Sequence, residues 1–261
     1  MNLVVLLSCM NQCDTSIVAK SNIQTDVVVV NQCNKDDRQE YTFVNKKGRE
    51  CHVLFISTTE RGLSRSRNMA IKNAINADIC LLCDDDEFLT DDYEDTILKA
   101  YLSKNIQVAT FAVERKDKSM PSDSHKLGIY AICKTSSVET TFVRKAIMNA
   151  GILFDEKMGS GTGNGAGEEN KFLMDCRRAG FQMFYFPYYI AKLLSYDSQW
   201  FNGWTARYFQ NQGWQSRRIF GFFLGYLFMC YELVHHYKTY SKELSFLQAI
   251  KNSHMGFFEK R

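Results

Sequence analysis

Four consecutive acidic residues, Asp84, Asp85, Asp86 and Glu87, directly follow the apolar run 79–83. The run is short, bounded and rich in strand-favouring residues, so it predicts a buried β-strand. A strand that ends in acids brings carboxylates to the rim of a sheet, where open α/β sheets bind ligands. Carboxylates this close repel one another unless a cation lies among them, and oxygen ligands favour Mg²⁺ or Mn²⁺. The run therefore suggests a metal site that also holds a phosphate or diphosphate.

A plainer interpretation of the acidic run is also open. Acid clusters occur in solvated loops and in the first turn of a helix, where the helix dipole favours negative charge. The acids within 91–95 fit this second description, because a helix is predicted over 91–102. Residues elsewhere in the chain must decide between the two interpretations.

Length and charge limit the class of protein. The chain has 261 residues, 45% of them hydrophobic, which suffices for one large domain with a sizeable core, or for one and a half domains. The net charge of +3 is unevenly spread, because residues 201–261 contain eight Lys or Arg and only three Glu. A basic tail on a near-neutral body argues against nucleic-acid binding and fits contact with an anionic surface.

The cysteines indicate a reducing compartment. Their number, nine, is odd, and most of them lie in apolar runs rather than in a regular framework. Residues 1–7 contain neither a basic segment nor a cleavage signature, so no signal peptide is predicted. These features predict free thiols in a cytoplasmic protein.

Strand-like and helix-like segments alternate as far as residue 113, which predicts a parallel, three-layer α/β domain. The predicted strands are 3–7, 26–30, 53–56, 78–83 and 107–113, and the predicted helices are about 13–23, 64–76 and 91–102. Further on, the pattern predicts strands at 128–134, 139–144 and 182–186, and helices at 145–150 and 168–179, the latter followed by Gly180 as a C-terminal cap.

Two other segments have more than one interpretation. The loop 159–167 contains five glycines, and we interpret it either as a mobile acceptor lid or as a disordered linker. The apolar run 219–234 carries one charge, Glu232, and would form a helix about 24 Å long, short of the roughly 30 Å hydrocarbon core. An interfacial helix and a helix packed on the protein's own core are both open for it, as is a tilted or re-entrant one.

Three further motifs decide the meaning of the acidic run. They are Arg65-Ser66-Arg67-Asn68, the segment 149–156 (Asn-Ala-Gly-Ile-Leu-Phe-Asp-Glu) and Gly167-Glu168-Glu169. In this order and spacing, residues 1–200 resemble the inverting family 2 glycosyltransferases of the GT-A fold. The resemblance implies a catalytic domain over 1–199 with a Rossmann-like three-layer sandwich. Residues 1–113 would be its nucleotide-sugar-binding half, 114–199 its acceptor half, and 200–261 a basic, aromatic helical tail.

The resemblance implies separate roles within the acidic run. Asp84 would contact the nucleoside ribose of the donor, and Asp86 would bind Mg²⁺ or Mn²⁺, with Glu87 supporting the metal through water. Asp85 would be the variable middle residue of the donor site, pointing away and tolerant of substitution. The family often has a further histidine ligand, whereas residues 187–200 contain none and have Asp197 as their only acid.

The resemblance also implies the catalytic base. The second acid of the family's Glu-Asp pair corresponds to Glu169, a glutamate where aspartate is usual, and Glu168 would orient the acceptor or the base. This base would take the proton of an acceptor hydroxyl as its oxygen attacks the anomeric carbon. The alternative is that both acids only stabilise the start of a helix.

The remaining donor contacts are expected at other strand ends. Ser8, Cys9 and Met10 follow the first strand, and the resemblance implies that they surround the donor base. Asn31 follows the second strand, where the family often has acids, so the identity of the nucleotide is open. Arg67 would bind the diphosphate or an acid of the site.

The expected function is transfer of a sugar, from a UDP-sugar or a related nucleotide-diphospho-sugar, to a hydroxyl group. The acceptor would be a carbohydrate or lipid-linked molecule in bacterial cell-surface polysaccharide or lipopolysaccharide synthesis, at the inner face of the cytoplasmic membrane. Two alternatives are a non-catalytic nucleotide-sugar-binding subunit and a nucleotidyltransferase. Residues 8–16 argue against the last, because they lack the glycines and basic residues of a nucleotidyltransferase loop.

Overall fold

A mixed β-sheet forms the centre of the molecule in the computed structural model, which describes residues 1–194, 201 and 203–260. The strands of the described residues are β1 (Leu3–Met10), β2 (Asp26–Gln32), β3 (Asp37–Val44), β4 (Glu50–Thr58), β5 (Ile79–Asp84), β6 (Glu87–Leu89), β7 (Val108–Glu114), β8 (His125–Lys126), β9 (Thr140–Val143) and β10 (Met183–Leu193). They are ordered β3-β4-β2-β1-β5-β9-β7-β10-β6, with β8 paired to β10.

Helices cover the sheet and form the C-terminal part of the chain. They are α1 (Ile17–Lys20), α2 (Leu63–Asn73), α3 (Tyr93–Ser103), α4 (Ile129–Lys134), α5 (Arg144–Asn149), α6 (Glu168–Arg178), α7 (Ala206–Phe220), α8 (Phe222–His235), α9 (Tyr237–Tyr240) and α10 (Phe246–Phe258). A 3₁₀ turn, Ser137–Glu139, precedes β9.

The alternation of side chains along β1 produces three layers. Leu3, Val5 and Leu7 belong to a core cluster that includes α1 and α3, while Val4 and Leu6 belong to a second cluster on the other face, with α2, α5 and α6. Both faces of the sheet are therefore covered, which explains why the central strands are apolar at almost every position. The predicted three-layer α/β architecture is confirmed.

The sheet is less regular than predicted. Strands β1, β2, β4 and β5 are parallel, as expected, but β9 runs antiparallel between β5 and β7. The edge strand β3 was not predicted. Its residues are mostly exposed and polar, so it lacks the apolar run by which the other strands were recognised.

Two predicted elements in the second half differ from the structure. The segment 128–134 was predicted as a strand and forms α4 instead, a short helix of which only Ile132 is buried. Strand β10 does not end at Pro187 but continues to Leu193, with a register shift against β7 between Phe186 and Tyr189. A proline is tolerated at such an irregularity because no ladder hydrogen bond is required of its nitrogen.

The C-terminal helices pack on the preceding α/β part of the chain as well as on one another. Trp214, Ile219 and Phe220 of α7 belong to the core cluster of α2 and α6, while α7, α8 and α10 share a third cluster. Gly221, with φ of +78°, divides the apolar run 219–234 between α7 and α8. None of the described helices is both long and apolar enough to cross a membrane.

Candidate active site

The parallel register brings the predicted donor residues to one rim of the sheet. Ser8 on β1 lies opposite Asp84 on β5, and Cys9 lies opposite Asn31 on β2. Because parallel strands end on the same side of a sheet, these residues share the carboxyl-end rim at which α/β proteins bind ligands.

A single buried guanidinium joins the acid-tipped strand to the helix of the predicted base. The side chain of Arg67, on α2, is 2% exposed. Its Nη2 donates to both carboxylate oxygens of Asp84 at 3.1 Å, and its Nη1 donates to Oε1 of Glu168 at 2.9 Å. Burial alone would lower the pKa of Arg67, but the charges of Asp84 and Glu168 outweigh it and hold the pKa above its ordinary value.

Ser137 completes the environment of Asp84, and the sequence analysis missed it. Its hydroxyl accepts a hydrogen bond from Arg67 Nη2 at 2.8 Å and lies 3.4 Å from Oδ2 of Asp84. The residue stands on the 3₁₀ turn before β9, in a segment without a recognisable motif, so no local sequence signal marked it.

Glu87 lies inside the turn that follows β5. Its side chain is buried, and Oε2 accepts a hydrogen bond from the backbone N–H of Asp84 at 2.8 Å. The other oxygen, Oε1, has no hydrogen-bond partner among the described residues. Burial, and then the charge of Asp84, raise the pKa of this carboxyl well above its ordinary range. Glu87 thus supports the turn after β5 from inside, and its predicted support of a metal through water stays a prediction.

Asp85 and Asp86 remain at the surface of the rim. Asp85 is exposed beside the backbone of Met10, and Asp86 is half-buried. Desolvation, followed by the negative charge of Asp84, raises the pKa of both carboxyls. The backbone oxygen of Asp86 accepts a hydrogen bond from Leu194 at 2.8 Å, which fixes the end of β10 beside the acidic run.

The acidic run fits a divalent cation that is shared with a ligand. Within the described part of the chain, no group of three or more His, Cys, Asp and Glu side chains could hold a metal by itself. Desolvation is the larger cause of the raised pKa values of Asp85 and Asp86, and the negative charge of Asp84, which a cation would offset, adds to it. Mg²⁺ is commonly held by one or two carboxylates together with substrate phosphates, which this donor set permits. Asp197, the other acid considered as a ligand, lies outside the described residues.

The side chains of Asn31 and Cys9 are buried within the protein, and the predicted donor contacts of both residues stay predictions. The buried side-chain amide of Asn31 accepts from the N–H of Gln12 at 2.9 Å and donates to the carbonyl of Gln12 at 3.0 Å. Its polar atoms are thereby used to hold the loop after β1. Cys9 is buried, and burial raises the pKa of its thiol. Met10 is exposed at the rim, and the hydroxyl of Ser8 accepts a hydrogen bond from Ser66.

Glu168 and Glu169 begin α6 but have different environments. Glu168 is buried, with one oxygen bonded to Arg67 and the other, Oε2, without a hydrogen-bond partner in the described structure. Glu169 keeps part of its surface exposed, yet it lies deep enough that desolvation, followed by the charge of Glu168, raises its pKa well above the ordinary range. A carboxyl with a raised pKa is a stronger proton acceptor once it is ionised.

The glycine-rich loop before α6 has a defined backbone. Its five glycines all have positive φ, a region that other L-residues rarely adopt: Gly159, Gly161, Gly163, Gly165 and Gly167. The N–H of Leu63 donates to the carbonyl of Ser160 at 3.0 Å, and Gln215 of α7 donates to the carbonyl of Asn164. A Cβ at position 159 would lie 3.0 Å from the carboxyl carbon of Glu168, so the loop also encloses that side chain.

The segment 149–156 is anchored on two sides. The side-chain amide of Asn68 both donates to and accepts from the backbone of Phe154, at 2.9 and 2.8 Å, so Asn68 holds this segment against α2. Asp155 forms an ion pair with Arg218 of α7, a contact that connects this segment to the C-terminal helices and that the sequence did not reveal.

Known structures share this fold. The crystal structure of residues 1–349 of S. aureus TarS superposes with a TM-score of 0.62 at 13% identity, covering 93% of this chain and 74% of that one. Its complex with UDP-GlcNAc gives a TM-score of 0.64 over the same shares at 13% identity. The mannosyltransferase PcManGT from Pyrobaculum calidifontis, in complex with GDP-Man and Mn²⁺, gives 0.51 at 11% identity, covering 97% and 73% of the two chains. At these identities the likeness shows the fold alone.

Sequence comparison identifies the family. No curated protein matches the chain. The model of glycosyl transferase family 2 matches residues 6–156, more than half of the chain, and this region holds the acidic run and Arg67. With its GT-A fold, the chain therefore belongs to glycosyl transferase family 2 and is a glycosyltransferase.

Proposed function

We propose that the protein is an inverting glycosyltransferase that moves a sugar from a nucleotide-diphospho-sugar, most simply a UDP-sugar, to an acceptor hydroxyl. The observation that carries this proposal is the pair of salt bridges from Arg67 to Asp84 and Glu168. These salt bridges hold two elements on either side of one guanidinium. One is the end of β5, which we propose binds the donor, and the other is the start of α6, which we propose supplies the base.

The donor would bind along the rim formed by β1 and β5. Asp84 would contact the ribose, and the backbone around Met10 would lie beside the base. Asp86 would hold Mg²⁺ or Mn²⁺, which when bound neutralises the charge that develops on the leaving diphosphate. The complexes of TarS with UDP-GlcNAc and of PcManGT with GDP-Man and Mn²⁺ support a nucleotide-sugar donor and a divalent metal.

Glu169 would act as the base. Its carboxylate would accept the proton of the acceptor hydroxyl while that oxygen forms a bond to the anomeric carbon. The bond from the anomeric carbon to the diphosphate oxygen breaks at the same time, its electron pair leaves with the nucleoside diphosphate, and the configuration inverts. Glu168, which is held by Arg67, would keep the Glu169 carboxylate oriented, and its negative charge would add to desolvation in raising the pKa of Glu169.

The acceptor half would be residues 114–199, and the tail 200–261 would bring the protein to its acceptor. We propose a carbohydrate or lipid-linked acceptor in the synthesis of bacterial cell-surface polysaccharide or lipopolysaccharide, reached from the inner face of the cytoplasmic membrane. The excess of basic residues in the tail supports contact with an anionic surface.

Replacing the proposed base tests the mechanism. We expect Glu169→Gln to reduce transfer by at least about a hundredfold, since general-base catalysis typically contributes 10²–10⁴-fold, while the affinity for the donor stays unchanged. Asp175→Asn, two turns later on the same helix, is the matched control and should retain activity. Near-normal turnover of Glu169→Gln would contradict the assignment of the base.

A screen of nucleotide-sugars for hydrolysis, with Mn²⁺, with Mg²⁺ and with a chelator, would test the donor and the metal together. We expect slow hydrolysis of one class of donor that depends on the metal and on Asp86. Binding of donors without any hydrolysis or transfer would instead favour a binding subunit and contradict the proposal.

A further inference from the structure

Helix α8 has two opposite apolar faces. Gly225, Met229 and Leu233, spaced by four residues, are buried against the neighbouring helices. Gly225 allows the closest approach, because a Cβ at this position would lie 2.5 Å from the carbonyl oxygen of Ser216 on α7. One face of α8 is thus fully used in packing within the C-terminal bundle.

The opposite face of α8 is apolar and exposed. Phe223 is 81% exposed, Leu227 66% and Val234 68%, and Tyr231 completes the same stripe. A helix at a protein–water surface normally carries polar residues on its outer face, whereas a helix that is apolar all round is normally covered on all sides. The exposed apolar stripe therefore indicates a surface that a binding partner covers.

The apolar surface continues onto α10. Leu247, Met255 and Phe258 are exposed along one side of that helix, with Lys251 between them. The ring of Phe258 lies 6.2 Å from that of Phe222 at the start of α8. The two helices thus contribute to one apolar surface with a positive charge among its side chains.

The exposed charges of the described C-terminal segment have one predominant sign. The exposed charged residues described within 201–260 are six basic ones and one acid: Arg207, Arg217, Lys238, Lys242, Lys251, Lys260 and Glu243. Arg217 is packed over aromatic rings at the start of α8, with its guanidinium carbon 5.4 Å from the ring centre of Phe222 and 5.9 Å from that of Phe258. Basic groups next to exposed aromatic and aliphatic side chains match the boundary between anionic headgroups and acyl chains.

We propose that the outer face of α8, defined by Phe223, Leu227, Tyr231 and Val234, docks on an anionic lipid bilayer with the helix axis parallel to the membrane plane. The 14 residues of α8 span about 21 Å, less than the roughly 30 Å of a hydrocarbon core, so the helix lies in the interface instead of crossing it. The apolar side chains enter the acyl boundary, and Arg217, Lys238 and Lys242 contact phosphate groups.

Helix α8, which carries this docking face, lies near α4 in the proposed acceptor half. Phe228 of α8 packs against the core cluster to which α4 contributes Ile132, and the charge of Glu232 on α8 adds to burial in raising the pKa of Cys133 on α4. The carbonyl of Ile132 accepts a hydrogen bond from Asn170, the residue after Glu169, at 2.8 Å. A bilayer in contact with α8 would therefore adjoin the half that receives the acceptor, and a membrane-borne acceptor follows from the docking if the proposed function holds.

Vesicle sedimentation of the full chain tests the proposal. We expect the protein to bind vesicles of phosphatidylcholine with added phosphatidylglycerol and to be released by high salt. Phe223→Ser combined with Leu227→Ser should weaken the binding at least about tenfold, because two large apolar side chains no longer enter the bilayer. Lys238→Glu combined with Lys242→Glu should weaken it several-fold on anionic vesicles only.

The matched control uses exposed apolar residues far from the tail. Ile75→Ser with Leu102→Ser removes side chains that are 73% and 76% exposed. If vesicle binding came only from non-specific adsorption of exposed apolar side chains, this variant would lose it as well. Absence of vesicle binding, or an equal loss in the control, would overturn the proposal. So would a dimer in lipid-free solution that the Phe223/Leu227 variant dissociates, since the face would then join two copies of the chain. Donor hydrolysis without vesicles is measured on the same samples, so failure of docking is distinguishable from failure of the proposed function.

Discussion

Arg67 is the buried centre of the candidate site. Its guanidinium is removed from water, and it is bonded to two carboxylates from different parts of the chain. A buried charge is tolerated only when it is paired and hydrogen-bonded, so each member of this group depends on the others. Ion pairs to one guanidinium therefore hold the candidate site together, and its structure should be sensitive to replacement of Arg67.

We predict that Arg67→Ala lowers the free energy of unfolding by about 3 kcal/mol, because it leaves Glu168 buried and unpaired. Transfer should be lost as well, since both Asp84 and the start of α6 lose their anchor. Chemical denaturation monitored by circular dichroism measures the first effect, and a donor-release assay measures the second.

Arg65 provides the control on the same helix. Its ion pair with Glu156, at 3.4 Å, is half-exposed on both sides. Exposed pairs contribute at most about 1 kcal/mol, so Arg65→Ala should change stability and activity little. Equal effects of the two substitutions would show that the buried position of Arg67 has no special importance.

The pKa of Glu169 makes a second residue-scale prediction. As a base, Glu169 must be ionised, and its pKa is raised, first by desolvation and then by the charge of Glu168. Activity should therefore fall, as pH decreases, at a higher pH than the ordinary glutamate value of about 4.3. Glu168→Gln removes the second cause and should move this acidic limb of kcat/KM to lower pH. The pH profiles of the two proteins measure the shift, and identical limbs would contradict it.

The sign for stability follows from the same shift. A carboxyl whose pKa is raised on folding stabilises the folded state fully below its unfolded pKa, and this contribution is lost as pH rises through the folded pKa. Ionisation of Glu169 in the folded protein therefore lowers the free energy of unfolding. Glu169→Gln should reduce the decline of stability over that pH range, which denaturation at several pH values would show.

Among the elements, the loop 159–167 limits the position of Glu168. Gly159 and Gly163 both have positive φ, +96° and +77°, so alanine at either position strains the backbone by about 1–2 kcal/mol. Only at position 159 would the new Cβ lie 3.0 Å from Glu168, whereas nothing lies within 4 Å at position 163. We predict that both substitutions reduce stability similarly, and that only Gly159→Ala also reduces kcat, by about tenfold or more.

Thermal unfolding and steady-state kinetics of the two variants separate strain from contact. If Gly163→Ala lost as much activity as Gly159→Ala, the whole loop conformation would matter rather than the contact with Glu168. If neither variant lost activity, the loop would not restrict the catalytic acids at all.

The elements that sequence predicts best are those with buried, continuous apolar runs. The run 79–83 became β5 because both of its faces are covered, whereas β3 was missed because its alternating exposure leaves mostly polar side chains. The segment 128–134 has strand-like composition, but it is largely exposed and forms α4. The local composition of a segment predicts its secondary structure well when the segment is buried. The prediction fails where contacts with distant parts of the chain decide the structure.

The same limit applies to the site. The acidic motifs led to the rim of the sheet and to the helix of Glu169, because the proposed sugar transfer needs carboxylates at both places. The direction of each side chain depended on long-range contacts: Asn31 turns to Gln12, Glu87 turns inward to Asp84, and Ser137 reaches Arg67 from an unmarked turn. No spacing along the chain contains that information.

At the scale of the whole molecule, the described part of the segment 200–261 shares a core with the preceding α/β part. The sequence suggested a boundary near residue 200, and beyond it α7 inserts Trp214, Ile219 and Phe220 into the cluster around α6. Arg207 of the same helix donates to the carbonyl of Gly163 at 3.3 Å, so α7 also supports the loop beside Glu168. A helix that packs in this way contributes to folding and to the site together.

We therefore predict that a truncated chain ending at residue 194 is unstable and inactive. Burial of each large apolar side chain contributes about 1.5–3 kcal/mol, so loss of Trp214, Ile219 and Phe220 alone removes several kcal/mol. Typical proteins have only about 5–15 kcal/mol in total. Soluble yield, thermal unfolding and donor hydrolysis of the truncated chain measure the effect. The Phe223→Ser/Leu227→Ser variant of the 261-residue chain is the comparison, because it alters the outer face of α8 and leaves the shared core intact. A truncated chain with the unfolding temperature and turnover of the 261-residue chain would show that residues 1–194 fold as an independent unit.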